Sequence, residues 1–266
     1  MARIPYVSGS FYPSSEKELL ITLKEMISSN SKKKDALGII VPHAGYVYSG
    51  SVAGEVYASV KPKEIYVVIS PSHTGEGARM AVSDETWKTP LGNVSVDENF
   101  ISTLLTAEPL FEVDRVAHRH EHSLEVQLPF IQAISKDFNI VPITVQYAPV
   151  AELRKAGEAI AETIKKTKNP CMIVASSDMN HYEGRGVTHT KDKLAIEKIL
   201  QLDAAGLVET VQKNHISMCG VMPAAMMLFA VAKLGATKAE LIRYADSGEV
   251  NGDDSLVVGY AGVVVS

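Results

Sequence analysis

Three segments of the chain place a histidine shortly after a run of apolar residues, a pattern suited to binding a metal or a substrate. The runs and the residues that follow them are 37–41 with His43, 65–69 with His73, and 172–175 with Asp178 and His181. Short apolar runs rich in β-branched residues predict buried strands. In an open α/β sheet, ligands bind beyond the carboxyl ends of the strands. We therefore expect the three histidines and the aspartate to converge on one pocket.

His43 and His73 are the strongest candidates for metal binding in that group. Each follows a predicted strand and lies among small or turn-forming residues, which leave the imidazole accessible. Two neutral imidazoles with one anionic ligand can bind divalent iron, zinc or copper and leave coordination positions for water or substrate. A single histidine is more often structural, and it is the repetition of the pattern that favours a functional site.

Asp178 and His181 lie three positions apart in a predicted loop. The carboxylate could bind a metal, orient the His181 ring through its N–H group, or accept a proton. A structural alternative stays open, in which Asp178 caps a helix and His181 lies on the surface. Solvent exposure is predicted for His118, His120, His189 and His215.

Two further candidates, His122 and Cys219, lie next to predicted helices. His122 precedes the apolar face of a helix, where it could contact substrate or support a ligand. The neighbouring Glu121 and Glu125 fit the preference of acidic residues for the first turn of a helix. Cys219 lies directly before an apolar helix, whose dipole would stabilise a thiolate for metal binding or nucleophilic reaction. A role as a small buried apolar residue is the alternative for Cys219.

The elements that position these residues alternate between strands and helices. Predicted strands span 37–41, 65–69, 138–145, 171–175, 241–245 and 255–265. Predicted helices span 16–28, 50–59, 122–134 with an interruption at Pro129, 150–166, 190–213 as a pair, and 221–234. Such alternation favours the α/β class. We predict a single domain over residues 1–266, with a central, mostly parallel or mixed sheet flanked by helices.

Composition argues against several classes of function. The 266 residues are 46% hydrophobic and carry a formal net charge of −5, without the long basic run typical of nucleic-acid binding. The chain has no apolar run of the roughly 18 residues that a membrane span needs, and its first residues lack the pattern of a signal peptide. The two cysteines form no CxxC motif, which fits a reducing compartment. We expect a cytoplasmic protein without membrane or nucleic-acid partners.

Six stretches, taken in order, resemble the Memo protein family, also known as protein B of the AmmeMemoRadiSam set. They are GSFYP at 9–13, PHAGYVYSG at 42–50, PSH at 71–73, EHSLEVQLPF at 121–130, SSDMNHY at 176–182 and MCG at 218–220. Together they are spread over nearly the whole chain. The resemblance implies a fold similar to that of class III extradiol dioxygenases, which bind non-haem Fe(II) through two histidines and one glutamate.

The resemblance also implies roles for individual residues. The expected metal ligands are His43, His73 and Cys219, the expected catalytic pair is Asp178 and His181, and Tyr46 and His122 are expected to contact substrate or support the ligands. Cys219 then stands where the dioxygenases have a carboxylate. A thiolate makes the site softer, which favours copper or zinc relative to a carboxylate site and leaves iron compatible. The expected cofactor is a divalent metal, with iron or copper favoured and zinc as the alternative.

Two functions from different classes fit these residues. One is a metal-dependent oxidoreductase that acts on a small substrate, with His181 moving protons and Asp178 orienting it. The other is a binding or assembly module that uses a dioxygenase-like pocket to hold an anionic or peptide ligand without turnover. The resemblance further implies radical-SAM and AMMECR-type proteins as partners.

Overall fold

A nine-stranded mixed sheet forms the centre of the computed structural model, which describes residues 2–27 and 33–266. The strands are β1 (Ala2–Arg3), β2 (Gly38–Val41), β3 (Ile65–Pro71), β4 (Met80–Val82), β5 (Thr86–Thr89), β6 (Gly92–Val94), β7 (Glu112–Val113), β8 (Asn139–Val145), β9 (Cys171–Ser176), β10 (His181–Glu183), β11 (Ala239–Asp246) and β12 (Val257–Val265). Their order is β10-β12-β2-β9-β3-β8-β4-β7, with β11 also paired to β12. A separate small sheet has the order β1-β5-β6.

Helices pack on both faces of the large sheet. They are α1 (Glu16–Met26), α2 (Tyr46–Ser59), α3 (Glu98–Ala107), α4 (Val116–Arg119), α5 (Leu128–Ile134), α6 (Val150–Lys166), α7 (Arg185–Leu200), α8 (Ala204–Lys213), α9 (Val221–Lys233) and α10 (Gly248–Asn251). The predicted α/β class with a mixed sheet flanked by helices is confirmed. Among the described residues, we find no helix that is both long enough and apolar enough to cross a membrane.

Four parallel strands, in the order β2, β9, β3 and β8, carry the predicted site. Val41 at the end of β2 pairs with Ser176 at the end of β9, and Ile69 near the end of β3 pairs with Ala175. The carboxyl ends of these strands therefore meet at one edge of the sheet. The loops that follow them begin side by side.

Burial of both faces explains why the central strands read as unbroken apolar runs. Alternate residues of β3 enter two different cores. Tyr66 and Val68 belong to the core that includes residues of α1, α2 and α5, whereas Val67 and Ile69 belong to the core that includes residues of α6 and α9. The sheet is thus held rigidly between two helical layers, and its ends can position side chains reproducibly.

Several helix boundaries differ from the sequence prediction; α7, for example, begins at Arg185 rather than at residue 190. α2 begins at Tyr46 rather than at residue 50, since the Tyr46 N–H donates to the Phe11 carbonyl at 2.8 Å and its ring packs against Phe130. In the segment 122–134, a 3-10 turn ends at Gln127 before α5 begins. Pro129 lies in the first turn of α5, where a helix needs no N–H donor.

The predicted span of the first helix, 16–28, extends beyond what the structure describes. α1 ends at Met26, and residue 28 lies outside the described residues. At this end α1 comes into close contact with α2, because a methyl group at Gly54 would overlap the carbonyl oxygen of Met26. Glycine is therefore required for the approach of these two helices.

We predict that Gly54→Ala lowers the free energy of unfolding by about 1–3 kcal/mol, the usual cost of inserting a methyl group into a packed contact. Gly186 provides the matched control, since it also lies in a helix but has open space where a methyl group would point. Gly186→Ala should be neutral or raise stability by up to about 1 kcal/mol. Urea denaturation of the two variants measures both effects, and equal stabilities would contradict the close approach.

Candidate metal centre

A cavity of about 560 Å³ opens at the edge of the sheet where the parallel strands end. It is lined by Phe11, His43, Ala44, Gly45, Tyr48, His73, His122, Asp178, His181, Tyr182, Ser247, Asn251, Leu256, Val258 and Tyr260. The structure thus brings His43, His73, Asp178 and His181 into one pocket. The lining combines imidazoles and a carboxylate with several aromatic and apolar side chains.

His43, His73 and His122 form a group that could hold a divalent metal. One ring nitrogen from each lies within 4.8 Å of the others, in the only such group among the described residues. The ring centroids of His73 and His122 are 4.6 Å apart, and that of His43 lies 5.2 Å from His73. His122, placed by sequence at a contact to substrate or ligand, is a member of this group.

His73 is held by the fully buried carboxylate of Glu121. The backbone N–H of His73 donates to Oε2 at 2.6 Å, and its Nδ1 lies 2.9 Å from Oε1. Ser123 donates to Oε1 through both its N–H and its Oγ. Burial would raise the pKa of Glu121, but the hydrogen bonds and charge of His73, together with Ser123, lower it to about 2. Glu121 is therefore ionised, and the Nδ1–H of His73 points at it.

The interpretation as a residue of a first helical turn was wrong for Glu121, whereas Glu125 does lie in the first turn of a 3-10 helix (Glu125–Gln127). Glu121 lies in the loop before the 3-10 turn, and both carboxylates are fully buried. Glu125 forms an ion pair with Arg3 at 2.7 Å and accepts the Tyr12 hydroxyl at 2.7 Å. These carboxylates fix loop and N-terminal segments to the sheet rather than respond to a helix dipole.

Both nitrogens of the His43 ring have close polar neighbours. Its Nδ1 lies 2.9 Å from Ser176 Oγ, and its Nε2 lies 3.2 Å from Cys219 Sγ and 3.9 Å from Asp178 Oδ2. Burial, followed by the neighbouring charges of His73 and His122, places the pKa of His43 well below its ordinary value. The ring is therefore neutral at physiological pH and available as a ligand.

Asp178 holds the loop of His43 rather than the ring of His181. Its Oδ1 accepts the backbone N–H groups of His43 at 2.7 Å and Ala44 at 3.3 Å. Burial raises the pKa of Asp178. The His181 ring is oriented by Ser217, whose carbonyl oxygen lies 2.8 Å from Nδ1 and whose hydroxyl accepts the His181 N–H at 2.7 Å. The expectation that Asp178 orients His181 was therefore wrong.

Cys219 lies beside the histidine group and outside it. Its Sγ contacts Nε2 of His43, and it also accepts the Asp178 N–H at 3.2 Å. Burial, and then the charge of Asp178, raise the pKa of Cys219 well above its ordinary value. The expectation that the helix dipole stabilises a Cys219 thiolate was wrong, because the desolvation of the buried thiol outweighs the effect of the dipole. Metal ligation by Cys219 stays a prediction.

Tyr46 is not among the residues that line the pocket, so of its two expected roles the structure leaves support of the site rather than contact with substrate. Its hydroxyl donates to the Val126 carbonyl at 2.7 Å, and its ring is buried against Tyr12 and Phe130. The helical turn of α2 instead presents Tyr48 to the cavity. Tyr46 supports the pocket indirectly, because its backbone N–H donates to the carbonyl of Phe11, a residue that lines the pocket.

The sequence profile of the family described as Memo-like protein matches residues 3–264. The chain belongs to the Memo-like protein family. A MEMO1 family protein of Methanosarcina barkeri is 42% identical over 265 residues, which cover 99% of each chain. A MEMO1 family protein of Methanopyrus kandleri is 38% identical over 279 residues, again with 99% of each chain covered.

A solved structure described as an uncharacterized protein of Escherichia coli K12 has a similar fold. The TM-score is 0.55, with 14% sequence identity, and the match covers 84% of this chain and 98% of that one. At this identity the likeness shows the fold alone. The Memo-like chain therefore shares an architecture with that protein, while its site must be argued from its own residues.

Two residues of this Memo-like chain have settings that sequence reasoning did not foresee. Tyr182 has a positive φ of 56° at an irregularity between His181 and Glu183, and the residue lines the pocket and is 72% exposed. Such backbone strain is common at functional sites. His118, expected in solvent, is buried against the Ala81 carbonyl and Thr144, and burial, followed by the charge of Arg3, lowers its pKa to about 4.

We predict that Glu121→Gln weakens the dependence of stability on acid. The folded-state pKa of Glu121 is depressed to about 2, so its contribution is present above the unfolded value and lost as pH falls from about 5 to 2. That contribution is on the order of 3 kcal/mol at neutral pH. Thermal unfolding from pH 7 to pH 2 should show a smaller acid loss in the variant.

Exposed Glu209 supplies the control for this prediction. Glu209→Gln should follow the wild-type pH profile. If Glu121→Gln also follows it, the buried carboxylate is not ionised in the folded protein.

Proposed function

We propose that this Memo-like chain is a metal-dependent oxidoreductase that binds iron or copper and acts on a small substrate. The observation that carries the proposal is the convergence of His43, His73 and His122 on one wall of a cavity with room for a substrate. Imidazole suits copper, iron and zinc. Zinc binding is therefore the alternative outcome for the metal.

The donor set fits such a metal. Glu121 accepts from Nδ1 of His73, so Nε2 of that ring is free to act as a ligand. Cys219 lies against Nε2 of His43, where a thiolate would complete a set of nitrogen and sulfur donors. A bound iron or copper ion would supply one-electron chemistry toward a substrate or dioxygen.

His181 is suited to moving a proton at the same pocket. Its Nδ1 faces the Ser217 carbonyl oxygen, which can only accept, so Nδ1 carries the proton. Nε2 is then the basic nitrogen. An imidazole with one protonated and one basic nitrogen can act as a general base. Asp178 supports the reaction indirectly, because it fixes the backbone at His43 and Ala44.

The remaining lining residues indicate what kind of substrate fits. They include Phe11, Tyr48, Tyr182, Leu256 and Tyr260, and none of the described residues that line the pocket is a lysine or an arginine. A multiply charged anion would lack a cationic partner there. We therefore expect an uncharged, ring-containing substrate such as a phenol.

A binding or assembly module is the second candidate. The rim of the pocket exposes Tyr182 at 72% and Leu256 at 57%, and large exposed apolar side chains of this kind suit a peptide ligand. In that case the metal would organise the pocket without turnover. The experiments below separate the two functions.

We predict that Cys219→Ser reduces bound iron or copper by more than roughly tenfold, since even the outer partners of metal ligands contribute 10- to 100-fold to affinity. Elemental analysis after anaerobic purification without chelator measures this. Cys171→Ser is the matched control, because Cys171 is half-buried elsewhere in the sheet. Unchanged metal content and stability in Cys219→Ser would leave Cys219 without a role as a ligand.

We predict that His181→Ala lowers turnover by roughly 10²- to 10⁴-fold while the metal is retained, which is the usual range for general acid–base catalysis. Oxygen consumption with phenolic and thiol substrates is the assay. His120→Ala, at an exposed histidine outside the pocket, should behave as the wild type.

Two results would revise this assignment. Loss of metal in His181→Ala would make His181 a ligand. A metal-loaded wild type that neither consumes oxygen nor converts any substrate would favour the binding module.

A further inference from the structure

We propose that Ser176 and Gln127 are positioning residues that keep the proton of the His43 ring on Nδ1 and so leave Nε2 free for a metal. The inference rests on the proposed metal-binding role of His43. It concerns two buried side chains that do not line the pocket, and it follows from which atoms can donate and which can only accept.

The orientation of the Gln127 amide is fixed by two partners. Its Nε2 lies 2.9 Å from the Pro42 carbonyl oxygen, which can only accept, and its Oε1 receives the Tyr57 hydroxyl at 3.2 Å. Reversing the amide would bring two carbonyl oxygens together. The second hydrogen of Nε2 therefore points at Ser176 Oγ, 2.9 Å away.

Ser176 then has a single hydrogen to place. Its Oγ lies 2.7 Å from the Ser123 carbonyl oxygen, so the hydroxyl hydrogen is donated there. A hydroxyl has one donor and two acceptor positions. Gln127 occupies one acceptor position, and Nδ1 of His43 at 2.9 Å takes the other. His43 must therefore donate from Nδ1, and its Nε2 carries the lone pair.

Burial gives this network its rigidity. Ser176, Gln127 and Ser123 are fully buried, and His43 is nearly so. Rearranging one hydrogen bond would leave a buried polar atom unsatisfied, which is costly. Strand register places Ser176 beside Val41, two residues before His43, so the hydroxyl lies directly under the loop that it serves.

The network acts against a competing interaction. Asp178 Oδ2 lies 3.9 Å from Nε2 of His43, and a carboxylate there would attract a proton to that nitrogen. A protonated Nε2 cannot bind a metal. Cys219 Sγ, 3.2 Å from Nε2, is in turn well placed to donate its thiol hydrogen to the lone pair until a metal replaces it. Ser176 thus selects the ring form that can act as a ligand.

The experiment reads the tautomer and the metal affinity separately. Long-range ¹H–¹⁵N NMR on protein stripped of metal reports which nitrogen of His43 carries the proton, with His43→Gln used for assignment. Titration calorimetry with Zn²⁺ as the probe reports affinity. We expect the proton on Nδ1 in the wild type. Ser176→Ala should show the Nε2–H form and bind Zn²⁺ roughly 10- to 100-fold more weakly.

Two further variants keep the test decisive. Gln127→Met removes the donor that orients the Ser176 hydroxyl and should fall between the wild type and Ser176→Ala, which covers the case in which Ser176→Ala does not fold. Ser70→Ala removes another fully buried hydroxyl from the same sheet, one that contacts Thr144 and Ile143, and should leave the His43 tautomer and Zn²⁺ affinity unchanged.

A proton on Nε2 of His43 in the wild type would overturn the proposal. So would a change of tautomer without a change of Zn²⁺ affinity, or a change of affinity without a change of tautomer. Failure of the wild type to bind any metal would refute the proposed function. The NMR spectrum would still report the His43 tautomer in that case, so failure of the proposed function can be told apart from failure of the tautomer proposal.

Discussion

The buried carboxylate of Glu121 is the interaction on which the candidate metal centre depends. It accepts the N–H and Nδ1 of His73 and the N–H and Oγ of Ser123. A fully buried charge is costly unless polar groups satisfy it, and these donors do so. The same carboxylate lies 3.6 Å from Nδ1 of His122. One anion on a loop therefore holds His73 by hydrogen bonds and lies close to a second of the three clustered imidazoles.

The central strands were predictable because burial of both faces leaves a local apolar signal in the sequence. Apolar runs with β-branched residues mark β2, β3 and β9, and their parallel register brings the following loops together. α3 was not among the predicted helices, although its signals are local: Asp97 caps it, and Phe100 and Leu104 lie on its buried face. The start of α2 at Tyr46 could not be predicted, because it depends on the contact between Tyr46 and Phe11, which lie on separate segments.

The difference between local sequence signals and contacts distant in sequence also explains which parts of the site could be predicted. His43 and His73 follow strands, so sequence order alone indicates that they meet. The place of His122 depends on where the loop around Glu121 crosses the sheet edge, which no local pattern encodes. Cys219 carries a sequence signal for a helix end, yet burial dominates its chemistry. Hydrogen-bond partners such as Ser217 for His181 come from distant parts of the chain and emerge only in three dimensions.

Crystallography of iron- or zinc-loaded protein, with anomalous scattering at the metal edge, would show directly whether His43 and His73 bind one metal through Nε2. We expect one anomalous peak in the pocket, about 2.0–2.1 Å from Nε2 of both His43 and His73, with the Nδ1 atoms still hydrogen-bonded to Ser176 and Glu121. The same map would show whether His122 or Cys219 completes the ligand set. A metal held through Nδ1 of either ring, or bound away from this pair, would contradict this expectation.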